Sequence, residues 1–276
     1  MWTQQIIRTN RGNFEVFVKG SGLPICITHM YSEYNHLGNQ FADLFTKHYK
    51  VFLVNLRGAG KSDPVEFDEQ MGFEEVIRDL EAIRIELHIT QWGVAGYSAG
   101  GMLGMTYALR YEKSLSKLII CSSSASYRYV HHPDSIYCKD HPKNPQLMEI
   151  LSIMNDPKTS MDDRIKANRE WSMISLYRQE KLDEYFSKPS SGSSVPKLLH
   201  YFAYKEVRNF DITKYLHNIT IPTVVIGGLH DVQCPFEFCE EISRKIPNSK
   251  LYTFEESNHA PYVEEAKKFA QLIATI

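Results

Sequence analysis

Residues 92–101, Trp92-Gly93-Val94-Ala95-Gly96-Tyr97-Ser98-Ala99-Gly100-Gly101, place a serine at a change of pattern. Upstream, Trp92 to Ala95 is a short apolar run of the kind a strand buried on both faces requires. Downstream, Met102, Leu103, Met105, Ala108 and Leu109 recur at helical spacing. A strand therefore runs into Ser98 and a helix leaves it. Gly96 and Gly100, two residues to either side, let strand and helix approach closely around a strained turn that lifts the serine hydroxyl above the sheet end. Such a serine is a candidate nucleophile, and the rest of the chain has to supply a base and a carboxylate to orient it.

Outward from this turn, short apolar runs alternate with helical patterns. Residues 1–9 and 14–19 alternate apolar and polar about Arg11-Gly12, which predicts an edge hairpin. Leu23-Pro24-Ile25-Cys26-Ile27, Val51 to Leu56, Lys117 to Cys121, Ile221 to Gly228 and Lys250 to Phe254 read as strands. Helices are expected from Leu37 to His48, from Phe73 to Leu87 and from Val263 to Ile273. This rhythm predicts an α/β fold, a mostly parallel sheet with helices on both faces, and function at the carboxyl ends of its strands. Between about residues 127 and 216 no run reads as a buried strand. Helical patches there (Leu147, Ile150, Leu151, Met154; Ile165, Trp171, Ile174; Leu182, Tyr185, Phe186) are broken by the loop Lys188-Pro189-Ser190-Ser191-Gly192-Ser193-Ser194, read as mobile. The expected organisation is a core of residues 1–126 and 217–276 with a helical lid over 127–216.

With 276 residues and 43% hydrophobic content the chain can bury one large core. The balance of 31 basic against 33 acidic residues gives no field for nucleic acid or an anionic membrane. A small-molecule or short-peptide substrate fits better. No basic, then apolar, leader pattern and no apolar run of membrane-spanning length is seen, so a cytoplasmic location is expected and oligomeric state is left open. Cys26, Cys121, Cys138, Cys234 and Cys239 are scattered, which predicts free thiols. Gly60-Lys61-Ser62 resembles the end of a phosphate loop, yet the glycine that motif needs at position 55 is Asn55. His131, His132, Asp134 and His141 lack helical ligand spacing, so neither a metal nor another cofactor is expected.

A serine hydroxyl needs a neutral imidazole to take its proton and a carboxylate to hold that imidazole in the right tautomer. Asp231 and His259 each fall just beyond a predicted strand, and the order Ser98, Asp231, His259 supplies all three groups. His230 is the rival base, but as the neighbour of Asp231 on an extended turn its side chain points the other way. The oxyanion formed on attack requires backbone donors. These are expected to be the N–H of Ala99, after the nucleophile, and that of Tyr31, in the loop after Ile27.

Over essentially its whole length the chain resembles the α/β-hydrolase superfamily, through Arg57-Gly58-Ala59-Gly60-Lys61-Ser62-Asp63 and Gly96-Tyr97-Ser98-Ala99-Gly100-Gly101. Asn209-Phe210-Asp211-Ile212-Thr213, Ile221-Pro222-Thr223 and Gly227-Gly228-Leu229-His230-Asp231 are similar to its prolyl aminopeptidase (proline iminopeptidase) branch. The resemblance implies a serine hydrolase of small esters or amides, with release of N-terminal proline as one activity. A lidded carboxylesterase, a carbon–carbon bond hydrolase and a ligand sensor on the same scaffold are the alternatives. An aminopeptidase has to meet a buried ammonium with a carboxylate. Some members carry a glutamate directly after the triad aspartate, where this chain has Val232. The candidates are then Glu170, Glu180, Glu184 and Glu206, with Glu170, beside Trp171, and Glu206 preferred. Tyr97 and Trp171 complete the expected substrate-binding set.

Overall fold

The computed structural model describes residues 1–156 and 158–276. Among them one eight-stranded sheet is formed by β1 (Thr3–Thr9), β2 (Gly12–Lys19), β3 (Leu23–Thr28), β4 (Tyr49–Val54), β5 (Trp92–Tyr97), β6 (Leu115–Cys121), β7 (Thr223–Gly228) and β8 (Ser249–Phe254). Their order is β1-β2-β4-β3-β5-β6-β7-β8. β2 pairs antiparallel with β1 and β4, and the remaining pairs are parallel. The chain winds outward from β3 in one direction and from β5 in the other, so the switch point of the sheet lies between them.

The period-two rule divides the apolar runs between two cores. Cys26, Val94, Leu118 and Ile120 enter one cluster, with α1 (Phe73–Glu86) and α2 (Ala99–Tyr111). Ile25, Ile27, Ala95 and Ile119 enter the other, where Phe41, Phe45 and Phe269 of α6 (Ala266–Ile273) cover the opposite face. α5 (Phe236–Lys245) links β7 to β8. Two expected helices differ. Over 37–48 only Gln40–Asp43 is α-helical, capped by Asn39, because Phe45 O already accepts from His48 N and Tyr49 N as the chain turns into β4. The C-terminal helix is broken at Glu265 into Pro261–Glu264 and α6.

Between β6 and β7 the chain leaves the sheet at Ser126 and returns at Asp211. These residues form an antiparallel bridge, flanked by Tyr127 N to Phe210 O (2.7 Å) and Ile212 N to Ala125 O (2.9 Å). The insertion contains α3 (Asn144–Asn155) and α4 (Met161–Ile174), which share a small core of Ile136, Leu147, Ile150, Ala167 and Ile174. Ser160 caps α4 by accepting from Asp163 N at 3.1 Å. The loop read as mobile lies as a strap along residues 31–40. Ser193–Ser194 pairs with Ser32–Glu33, Val195 N donates to Tyr31 O (2.7 Å) and Ser191 N to Gly38 O (2.8 Å). Among the described residues no helix is long and apolar enough to cross a membrane.

Candidate active site

Ser98 stands between the last residue of β5 and the first of α2 with φ 53° and ψ −120°, a conformation that costs a non-glycine residue energy. The surroundings enforce it. Ser98 N donates to Cys121 O (2.9 Å), and Ser98 O accepts from Ser123 Oγ (2.8 Å). α2 is pressed against the end of β3, where Gly100 lies so close that an added Cβ would sit 2.1 Å from Thr28 O. Thr28 Oγ1 donates to Gly100 O at 2.8 Å.

The candidate base His259 and its partner Asp231 come from the loops after β8 and β7. Gly228 ends β7 against the loop after β8, where an added Cβ would meet Asn258 O at 1.9 Å, and this close approach brings Asp231 beside His259. His259 Nδ1 lies 2.8 Å from Asp231 Oδ2 and 3.0 Å from Oδ1, while its Nε2 lies 3.2 Å from Ser98 Oγ. Asp231 Oδ1 also accepts from Gln233 N and Cys234 N, both at 2.9 Å. With only acceptor atoms facing it, Nδ1 carries the imidazole proton, and the lone pair of Nε2 faces the serine hydroxyl. Both Asp231 and His259 are buried, so this line of charge is shielded from water. The arrangement can move a proton from Ser98 to His259 and spread the resulting positive charge onto Asp231.

His230 is turned away: it is exposed and stacks on Tyr177 at 4.2 Å. Tyr97 packs its ring 5.0 Å from that of His259 and 4.9 Å from Tyr262, so it walls the base. Ala99 N is the first amide of α2 and points out of the helix end, as the first N–H groups of any helix do. The second expected donor is engaged. Tyr31 N donates to His29 Nδ1 at 2.9 Å, which also accepts from Ser32 N at 2.6 Å, and burial lowers the His29 imidazole to about 3 so that it stays a neutral acceptor.

The preferred acids of the insertion are not brought to Ser98. Glu206 Oε1 accepts from Phe73 N at 2.9 Å and so caps α1, and burial raises its carboxyl above the ordinary range. Glu170 is exposed, whereas its neighbour Trp171 turns inward, 6.2 Å from the Tyr137 ring and in the same cluster as Val232. The sequence reading also missed residues that hold the site together. Gln233 Nε2 donates to Ser175 Oγ (2.7 Å), and Asn258 bridges Val232 N (2.9 Å) and Ile174 O (3.1 Å). Their only sequence signal is adjacency to Asp231 and His259.

Comparison with known proteins bears on the family. The profile of the alpha/beta hydrolase fold family matches residues 21–266. The chain is an α/β hydrolase. A solved alpha/beta fold family hydrolase from Bacillus anthracis str. Sterne superposes on this hydrolase with a TM-score of 0.98 at 47% identity, over 100% of this chain and 99% of that one. A proline iminopeptidase of Heyndrickxia coagulans is 26% identical over 287 residues, spanning 99% of this chain and 98% of that protein. An esterase from Exiguobacterium antarcticum has a TM-score of 0.74 at 25% identity, covering 99% and 98% of the two chains.

Proposed function

We propose that this hydrolase cleaves carboxylic esters by acyl transfer to Ser98, beneath a lid formed by the insertion. Ser98 Oγ attacks the ester carbonyl carbon as its proton passes to His259 Nε2, and Asp231 holds the imidazolium. The tetrahedral oxyanion is met by Ala99 N–H at the start of α2. Collapse expels the alcohol, which takes the proton from His259. Water then attacks the acyl-enzyme with His259 as base again, releasing the acid and restoring the serine. The observation that carries this reading is the continuous hydrogen-bonded line from Ser98 through His259 to Asp231.

A neutral ester is favoured over a free-amine peptide by what surrounds Asp231. Val232 packs with Trp171 and Tyr137 in an apolar patch, while Glu206 is spent on the end of α1 and Glu170 faces solvent. An ammonium buried there would lack a carboxylate, at a cost of several kcal/mol. The test is turnover of short-chain p-nitrophenyl esters, proline arylamide and N-acetyl-proline arylamide. Ester turnover that disappears in Ser98→Ala, with both arylamides inert, is expected. Faster cleavage of the free-amine arylamide than of the esters would replace this reading with an aminopeptidase. Binding of an ester without turnover would leave a sensor.

A further inference from the structure

Glu264 closes the short helix Pro261–Glu264, five residues after His259, and takes no part in the chemistry above. Its two carboxylate oxygens hold backbone groups from distant parts of the chain. Oε1 accepts from Asn258 N at 2.8 Å, and Oε2 accepts from Tyr177 N at 2.6 Å. Asn258 precedes His259, and Tyr177 lies three residues beyond the end of α4. The same two segments meet again where His259 N donates to Ser175 O at 3.3 Å and Asn258 Nδ2 to Ile174 O at 3.1 Å. Those contacts are neutral and longer, and the Arg178–Glu256 ion pair that joins the same segments at 2.6 Å touches no residue next to His259, so the carboxylate makes the shortest tie to the residue that precedes the base.

We propose that Glu264 is a positioning residue for His259, tying the loop that carries the base to the foot of the insertion, so that docking of the insertion and alignment of the imidazole form one structural event. The proposal rests on the reading of Ser98 and His259 as nucleophile and base. It gives the insertion a second task besides covering the site.

Burial pushes the Glu264 carboxyl up to about 7, against the opposing pull of its backbone donors. Protonation sets an O–H against one of two N–H donors, so one arm of the tie is lost as pH falls through that value. Several charged and titratable groups on the packed elements have partners of their own. Arg178 pairs with Glu256 (2.6 Å), Glu265 accepts from Ser257 Oγ (2.8 Å) and faces Lys268 (3.6 Å), and His230 stacks on Tyr177. Burial raises the Tyr185 phenol, and the Glu264 charge adds to it. Loss of the Glu264 charge therefore adds one ionisation to the acid limb of the activity.

The test measures the rate at which a fluorophosphonate labels Ser98, kcat and KM on a p-nitrophenyl ester, and thermal melting, in wild type and Glu264→Gln from pH 5 to 9. Glu264→Gln is expected to lower labelling and kcat between about 10- and 100-fold with KM nearly unchanged, as for a small misplacement of a catalytic group. Its acid limb should fall with a single-proton slope where the wild type falls more steeply, and proteolysis within the insertion should quicken. A variant that melts earlier but labels at the wild-type rate, with the wild-type acid limb, would reduce Glu264 to a structural residue. If the variant fails to fold, Glu264→Asp, which keeps the charge but is one methylene too short to span both amides, decides, since labelling and kcat at the wild-type level there overturn the proposal. Persistent labelling and turnover in Ser98→Ala would instead remove the underlying reading, and this proposal with it.

Discussion

At the sheet, Gly100 is held so tightly that an added Cβ would meet Thr28 O at 2.1 Å, whereas in the insertion Met161 and Ile165 of α4 stand 72% and 59% exposed. Around Ser98 the geometry follows from parallel strand register and backbone contacts, so Thr28 opposite Gly96 fixes which loops meet. The insertion has a small core of its own, and the direction of each side chain depends on packing between two helices. A residue type at a strand end is therefore a strong guide to the site, and a residue type on an insertion helix is a weak one.

The largest effects should fall at the strand ends. Ser98→Ala and His259→Ala are expected to lower kcat for ester hydrolysis by about 10⁶-fold, and Asp231→Asn by about 10⁴-fold, because the three act as a unit. His230→Ala should stay near wild type. A loss at His230 rivalling that at His259 would break the assignment of the base and with it the contrast drawn above.

Next comes the packing itself. Gly100→Ala drives a methyl into the backbone carbonyl of Thr28 and should cost about 3 kcal/mol in urea unfolding. Ile165→Ala, on the exposed face of α4, should change stability by less than about 0.5 kcal/mol. Similar costs at the two sites would show that the insertion is packed as strictly as the sheet.

Smaller still is the effect expected at Glu206. Glu206→Ala removes the acceptor for Phe73 N–H and should cost about 1 kcal/mol of stability while leaving KM for any substrate unchanged. Glu206→Gln keeps an acceptor and removes the charge. Because burial raises the folded-state carboxyl above its ordinary 4.5, wild type gives up stability as pH rises from that value and the glutamine variant does not. The difference measured in urea at pH 5 and pH 8 should therefore move in favour of the variant at pH 8. Glu170→Gln, exposed on α4, should be silent within about 0.5 kcal/mol and in KM. A selective rise in KM for proline arylamide in either glutamine variant would return these acids to the substrate site.

The α/β architecture, the turn at Ser98 and the succession Ser98, Asp231, His259 were legible in the sequence, because strand burial, helical periodicity and glycine-flanked turns are local patterns that register then carries to one sheet end. Tertiary structure alone decided where the carboxylates went. Glu206 reaches Phe73 across 133 residues and Glu264 reaches Tyr177 across 87, and no local pattern records a partner at that separation. It also decided that the Tyr31 N–H is taken by His29 and that a helix expected over 37–48 shrinks to Gln40–Asp43. In each of these cases a polar group could satisfy itself in several ways within the chain, and which one it took depended on what the completed fold left beside it.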